Sequence, residues 1–192
     1  MDKKRLGLAL CGSYCTYDML FEAAERLAER YELIPIMSDT AAETDSRFGK
    51  ATDHIRRLMD LCGKPVVTTV AEAEPLGPKT PMDALLIAPC TGNTLAKLSH
   101  GITDSAVTMA AKAHLRNGKP VIIGFSTNDG LSGSAENIGR LLNRKHYYFV
   151  PFGQDDPRNK PRSLQADFSL LGEAVEAALE GRQLQPILAG RR

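Results

Sequence analysis

Tryptophan is absent from the chain, and aromatic residues together make up only 6% of it. A surface for stacking bases, or a large aromatic anchor for a partner, therefore has little to be built from. Neither sign of charge predominates: 24 Lys and Arg face 23 Asp and Glu, a formal net charge of +1. Proteins dedicated to nucleic acid carry a basic domain or stripe that displaces phosphate counterions, so nucleic acid is not an expected partner. The longest basic cluster, Lys3-Lys4-Arg5, reads as a solvated chain end. No apolar run approaches the roughly 18–20 residues of a membrane span. The run Leu6 to Cys11 is too short and too β-like for the apolar part of a secretion signal. No membrane contact and a cytoplasmic location are the expectations.

Cys-x-x-Cys pairs are lacking too. The four cysteines are Cys11, Cys15, Cys62 and Cys90, and zinc sites favour closer pairs with further Cys or His ligands. A chain of 192 residues with regular patterning needs no disulfide staples. No metal is expected, and Cys11, Cys15 and Cys62 read as reduced, mostly buried thiols. Two nucleotide fingerprints are also missing. Gly12 is followed by Ser13-Tyr14-Cys15-Thr16 rather than GxGxxG, Ser38 stands where a ribose-binding acid would be, and no GxxxxGK[ST] run occurs.

What is present is an alternation. Leu6 to Cys11, Glu32 to Met37, Ala84 to Ala88 and Val121 to Phe125 are short apolar runs of the kind buried on both faces of a parallel sheet. Val66 to Val70 and Tyr147 to Val150 are further strand-like segments. Between them lie helical patterns, best developed where Tyr17, Leu20, Phe21, Ala24, Leu27, Ala28 and Tyr31 recur opposite Asp18, Glu22, Glu25, Arg26, Glu29 and Arg30. Helices are also expected over Lys50 to Leu61, Thr94 to His100, Asp104 to Arg116, around Leu141, and from Phe168 to Leu179. Asp39 to Arg47 reads as a loop. The βαβα order predicts an α/β fold, a single doubly wound parallel sheet with helices on both faces. One domain over residues 1–181 and a C-terminal tail over 182–192, with Pro186 and Arg191-Arg192, complete the expectation.

Ligands of such sheets bind beyond the carboxyl ends of the strands. Those ends carry Gly12-Ser13-Tyr14, Ser38, Thr91-Gly92-Asn93-Thr94 and Ser126-Thr127-Asn128. Glycine lets backbone N–H groups approach an anion, and the following helix N-terminus favours negative charge. A phosphate-bearing ligand fits this set, although the same residues also serve turns and helix caps.

Ala88-Pro89-Cys90-Thr91-Gly92-Asn93-Thr94-Leu95-Ala96-Lys97-Leu98, with His100-Gly101-Ile102-Thr103-Asp104, resembles the APxxxNTxAKxxxGIxD signature of the flavoprotein superfamily. That superfamily includes phosphopantothenoylcysteine decarboxylase and flavin prenyltransferase. The resemblance implies a Rossmann-like fold, FMN as cofactor, homo-oligomers, and cofactor contacts at Gly12, Ser13, Tyr14, Ser38, Thr91, Gly92, Asn93, Thr94 and Ser126. Pro151-Phe152-Gly153-Gln154-Asp155-Asp156-Pro157, with Lys160-Pro161 and Ser163-Leu164, is similar to the dipicolinate synthase B-subunit family. That family works in spore formation with the synthase's A subunit, on the route from 4-hydroxy-tetrahydrodipicolinate to dipicolinate. The PxMNxxMW segment of the decarboxylases is missing, and Gln154-Asp155-Asp156 stands in its region. No His closely follows the second strand. His54 is the nearest and falls on a helix.

Candidate residues follow from that substrate. Lys160 and Arg162 would supply cations for a dicarboxylate, since an Arg fork pairs bidentately with a carboxylate. Asp155 and Asp156 are candidates for acid/base work or partner binding, and otherwise are solvated turn residues. Cys90 reads as packing and His100 as a helix-end cap. Three functions stay open: a redox subunit forming dipicolinate, a non-catalytic scaffold completing the A subunit, and an FMN-dependent decarboxylase or prenyltransferase.

Overall fold

The computed structural model describes residues 3–79 and 81–189. Arg191-Arg192, part of the expected tail, lie outside the described residues. The chain order is β1 Lys4–Leu10, a 3-10 turn Tyr14–Thr16, α1 Tyr17–Arg30, β2 Tyr31–Met37, α2 Asp39–Glu43, α3 Ala51–Cys62 and α4 Val70–Ala73. It continues with β3 Ala84–Cys90, α5 Gly92–His100, α6 Ala106–Leu115, β4 Val121–Thr127, α7 Ala135–Leu142, β5 Tyr147–Phe149, β6 Phe152–Gly153, β7 Leu164–Ala166 and α8 Leu171–Leu179.

The apolar runs do become the central strands. Leu8, Leu86 and Ile122 sit side by side on parallel β1, β3 and β4, all fully buried. The parallel part runs β2-β1-β3-β4-β5, with the topological reversal at β1 and β3. Helices α1 and α8 pack on each other and on the sheet. Helix α6 packs on β2, β3 and β4, with α4 against it.

Three details differ from the sequence expectation. Beyond β4 the sheet turns antiparallel, because β7 pairs with the carboxyl end of β4 and β6 pairs with β7. Val66 to Val70 makes only a bridge, Val67 to Ile36, and Val70 already begins a helix. There Thr69 accepts from the Glu72 N–H while the Glu72 carboxylate accepts from the Thr69 N–H, a capping box that outweighs β-branched propensity. Asp39 to Glu43 is helical rather than loop, because the Ser38 side chain caps it by accepting from the Ala41 N–H. The tail segment up to Ala189 lies along the ribbon. Phe152 N–H donates to Ile187 O, Ala189 N–H donates to Phe152 O, and the Gln183 amide bonds the backbone of Phe149 in both directions.

One buried ionisable group makes stability depend on pH. His114, 1% exposed, donates its Nε2–H to Pro120 O at 3.0 Å. Burial pushes its pKa down to about 4. The folded chain keeps this imidazole neutral where the unfolded chain, titrating near 6.5, takes up a proton. Between those values the unfolded state binds more protons, so stability is intact above about pH 6.5 and falls by about 3 kcal/mol as pH drops through the window. Urea unfolding across that range should show the slope, and a His114→Gln variant should flatten it.

Candidate flavin-binding cleft

The order β1-β3-β4 brings three of the polar strand ends together. Ser13, Cys15, Thr91, Gly92, Ser126, Thr127, Asn128 and Asp129 line a cleft of about 330 Å³ at the carboxyl ends of these strands. Ser13 takes a left-handed conformation, φ 73, which turns the chain out of β1, and its hydroxyl donates to Ser126 O at 2.9 Å across β3. The backbone N–H groups of Gly12 and Ser13 have no hydrogen-bond partner among the described residues. Gly92 and Asn93 open α5, so their N–H groups are the unsatisfied donors of its first turn. Thr91 caps that helix by accepting from the Thr94 N–H at 3.2 Å.

Gly92 is where the approach is closest. A Cβ there would lie 2.6 Å from Ser134 Oγ, 2.9 Å from Thr127 Oγ1 and 3.1 Å from Asp129 Oδ1. Thr127 and Ser134 both donate to Asp129 Oδ1, the latter at 2.8 Å. The Thr127 hydroxyl is the main cause that holds the Asp129 carboxyl below its ordinary value, against the opposing effect of burial. Sequence reasoning missed Asp129. Its only local signal is its place after Ser126-Thr127-Asn128.

The other anticipated residues surround the cleft rather than line it. Ser38 is buried at the end of β2, its hydroxyl engaged as the α2 cap and in contact with the Cys11 thiol. Thr94 is buried beneath the cleft, donating to Cys11 Sγ at 3.3 Å. Burial pushes the Cys11 thiol up to about 11, with the Thr94 bond partly offsetting it, and raises the Cys90 thiol well above its ordinary value. Neither is a thiolate at neutral pH, so both fit packing roles. Cys15 corrects the expectation of burial: it is exposed on the 3-10 turn and lines the cleft. Asn93 is exposed on the first turn of α5. Tyr14 turns away, its hydroxyl donating to Thr40 O at 2.7 Å and its ring stacking on His54. His54 is indeed on a helix, α3, and is 7% exposed. Its pKa is lowered by burial and by Arg57.

The loop from Pro151 to Ser163 is closed on itself. Lys160 pairs with Asp155 at 3.4 Å, Asp156 accepts from the Asn159 backbone and amide, and Gln154 donates to Pro161 O at 2.9 Å. Burial raises the Asp155 pKa but is outweighed by hydrogen bonding from Ser163 and by Lys160, and Asn159 lowers that of Asp156. Both are therefore ionised at neutral pH and suit accepting a proton better than donating one. None of Asp155, Asp156, Lys160 and Arg162 lines the cleft. The two aspartates instead border a groove of about 770 Å³ between α1 and the β6–β7 ribbon. The loop's C-terminal end is nonetheless fastened beside the cleft: Ser163 donates to Thr127 O and the Leu131 N–H donates to Arg162 O.

Unpaired N–H donors on two turns and a rim of hydroxyls fit a phosphorylated, hydrogen-bonding ligand. Residues 1–141 match the family described as Flavoprotein. The chain belongs to the flavoprotein family.

Within the flavoproteins, the dipicolinate synthase B subunit of Bacillus subtilis (strain 168) is 46% identical over 96% of this chain and 93% of its own length. The crystal structure of the dipicolinate synthase B subunit from Bacillus halodurans superposes with a TM-score of 0.90 at 45% identity, covering 100% of this chain and 98% of that one. An FMN-dependent cysteine decarboxylase shares the fold, with a TM-score of 0.65 at 22% identity over 92% of this flavoprotein and 95% of the other chain. Flavin is thus the cofactor class that the family and the cleft both support. No helix among the described residues is long and apolar enough to cross a membrane.

Proposed function

We propose that this flavoprotein is the B subunit of a dipicolinate synthase. It would work with the synthase's A subunit in the cytoplasm of a sporulating cell, converting 4-hydroxy-tetrahydrodipicolinate to dipicolinate. The observation that carries this reading is likeness, over 96% of the chain, to the B subunit of such an enzyme. That span includes most of the Pro151–Ser163 loop, which lies outside the 1–141 family match. The conversion needs loss of one water and removal of two hydrogens. FMN is the proposed cofactor, and when bound it supplies the hydride acceptor.

The chain's own residues have narrower tasks. The N–H groups of Gly12 and Ser13 and the buried end of β2 at Ser38 would hold the phosphate. Thr91, Gly92 and Ser126 would line the remainder, with Thr127 and Ser134 close against Gly92. Arg162, whose backbone is tied to Leu131 at the rim, and Lys160 would take the substrate's carboxylates. Homo-oligomers are part of the same reading. A second reading, a flavoprotein-fold scaffold that completes the A subunit without redox work, draws support from Asp129, whose carboxylate already stands beside the N-terminal end of α5.

The visible spectrum separates the two. A purified complex should carry bound flavin that bleaches when substrate is added without external oxidant. A colourless protein that is still required for turnover supports the scaffold and overturns the redox role. The loop has its own test. Lys160→Ala with Arg162→Ala should raise the apparent Michaelis constant about tenfold or more, the cost of an exposed charge-assisted contact, or break the complex between the two subunits. Flavin content and folding should be unchanged. Normal turnover together with normal co-purification would make these charges mere solvated surface.

A further inference from the structure

The carboxylate of Asp129 divides the cleft electrically. One oxygen, Oδ1, is saturated by Thr127 and Ser134, which fixes the group in place. The other, Oδ2, accepts from no other side chain among the described residues and lies 3.0 Å from where a Gly133 Cβ would be, while Asp129 itself is exposed and lines the cleft. It is the only carboxylate among the lining residues. It also stands at the opening of α5, within 3.1 Å of where a Gly92 Cβ would be. The helix end that would ordinarily attract an anion therefore already faces one. At the opposite side, the Ser13 turn offers its N–H groups with no carboxylate lining it.

We propose that Asp129 is the specificity-determining residue of the cleft, accepting a hydrogen bond from the N3–H edge of the isoalloxazine ring and turning the phosphate of the cofactor toward the Ser13 turn. The inference rests on the flavin-binding reading and adds a partner for the ring end of the cofactor. A ligand presenting an anion to α5 would meet a fixed like charge. A ligand presenting an N–H donor would satisfy Oδ2 and gain a charge-assisted bond. A ligand that lacks the donor forgoes that bond and still faces the fixed charge, so the carboxylate discriminates by the bond gained rather than by burial.

The test compares FMN with riboflavin, which has the ring but no phosphate, on the intact protein. Affinities would be read from flavin fluorescence for the native chain, Asp129→Asn and Asp129→Glu. Asn keeps an acceptor for Thr127 and Ser134, Glu keeps the charge but displaces it, and circular dichroism confirms that each folds. Both variants should lose about tenfold in affinity, and by the same factor for FMN and riboflavin, because the lost contact is to the ring. Ionisation of the bound ring at N3, followed by absorbance against pH, should fall by about one pH unit in Asp129→Asn, since a carboxylate acceptor resists forming the anion. Tighter FMN binding in Asp129→Asn with riboflavin unaffected would place the carboxylate against the phosphate and overturn the proposal. Equal affinities and an unmoved N3 ionisation in all three chains would overturn it too, while leaving the flavin reading standing. A native chain that binds neither ligand would remove the flavin reading itself, and this inference with it.

Discussion

Replacing Ser38 by Asp is expected to abolish FMN binding. The variant is informative because the capping role of Ser38 and its proposed place beside the phosphate separate. Its hydroxyl caps α2 by accepting from the Ala41 N–H, and Asp is as good a cap as Ser. The fold should therefore survive. What changes is the charge at the end of β2, beside the β1 turn where Gly12 and Ser13 present free N–H groups. Two unit charges about 4 Å apart at an effective dielectric near 20 repel by about 4 kcal/mol, roughly three orders of magnitude in dissociation constant. Titration calorimetry of the variant with FMN, alongside its melting temperature, reads both consequences. Undiminished affinity in a folded variant would remove Ser38 from the phosphate site.

The second large effect is on stability. Leu86 is 0% exposed on β3, with Leu8 of β1 and Ile122 of β4 as register neighbours. Leu86→Ala removes three buried carbons at the centre of the sheet, where pairing on both sides limits collapse around the void. A loss of about 3–5 kcal/mol is expected. For a chain of this size that lowers the melting temperature by about 10 °C or more. Urea unfolding measures it directly, and a loss below about 1 kcal/mol would mean that the β1-β3-β4 layer is not the core of the fold. Because Cys90, Thr91 and Gly92 leave the carboxyl end of the same strand, flavin affinity should fall in parallel with stability rather than independently of it.

The two parts of the molecule were unequally legible. Runs such as Leu6 to Cys11 and Ala84 to Ala88 are apolar at successive positions, so they tolerate burial on both faces and exclude a half-exposed antiparallel strand. Amphipathic spacing in α1 likewise follows from the residues themselves. Segments with weak local preference went the other way. Val66 to Val70 is β-branched, yet the Thr69–Glu72 capping box satisfies helix-end donors that a strand would have left to a neighbour. Asp39 to Glu43 is polar, yet one cap from Ser38 suffices for a short helix. Cys15 reads locally as an ordinary buried thiol, but whether a residue of a 3-10 turn faces protein or solvent depends on what packs over that turn.

The sequence alone determined the α/β class, the positions of the central strands, and the concentration of hydroxyls, amides and glycines just beyond them, because burial on two faces and turn chemistry are written in neighbouring residues. The tertiary structure alone decided that the ends of β1, β3 and β4 form one cleft while Ser38 sits behind it, that Lys160 is paired with Asp155, and that Asp129 stands over Gly92. Those outcomes rest on contacts such as Ser13 to Ser126 and Gly92 to Ser134. Such contacts depend on the lateral order of strands and on crossover connections, and no local periodicity encodes either.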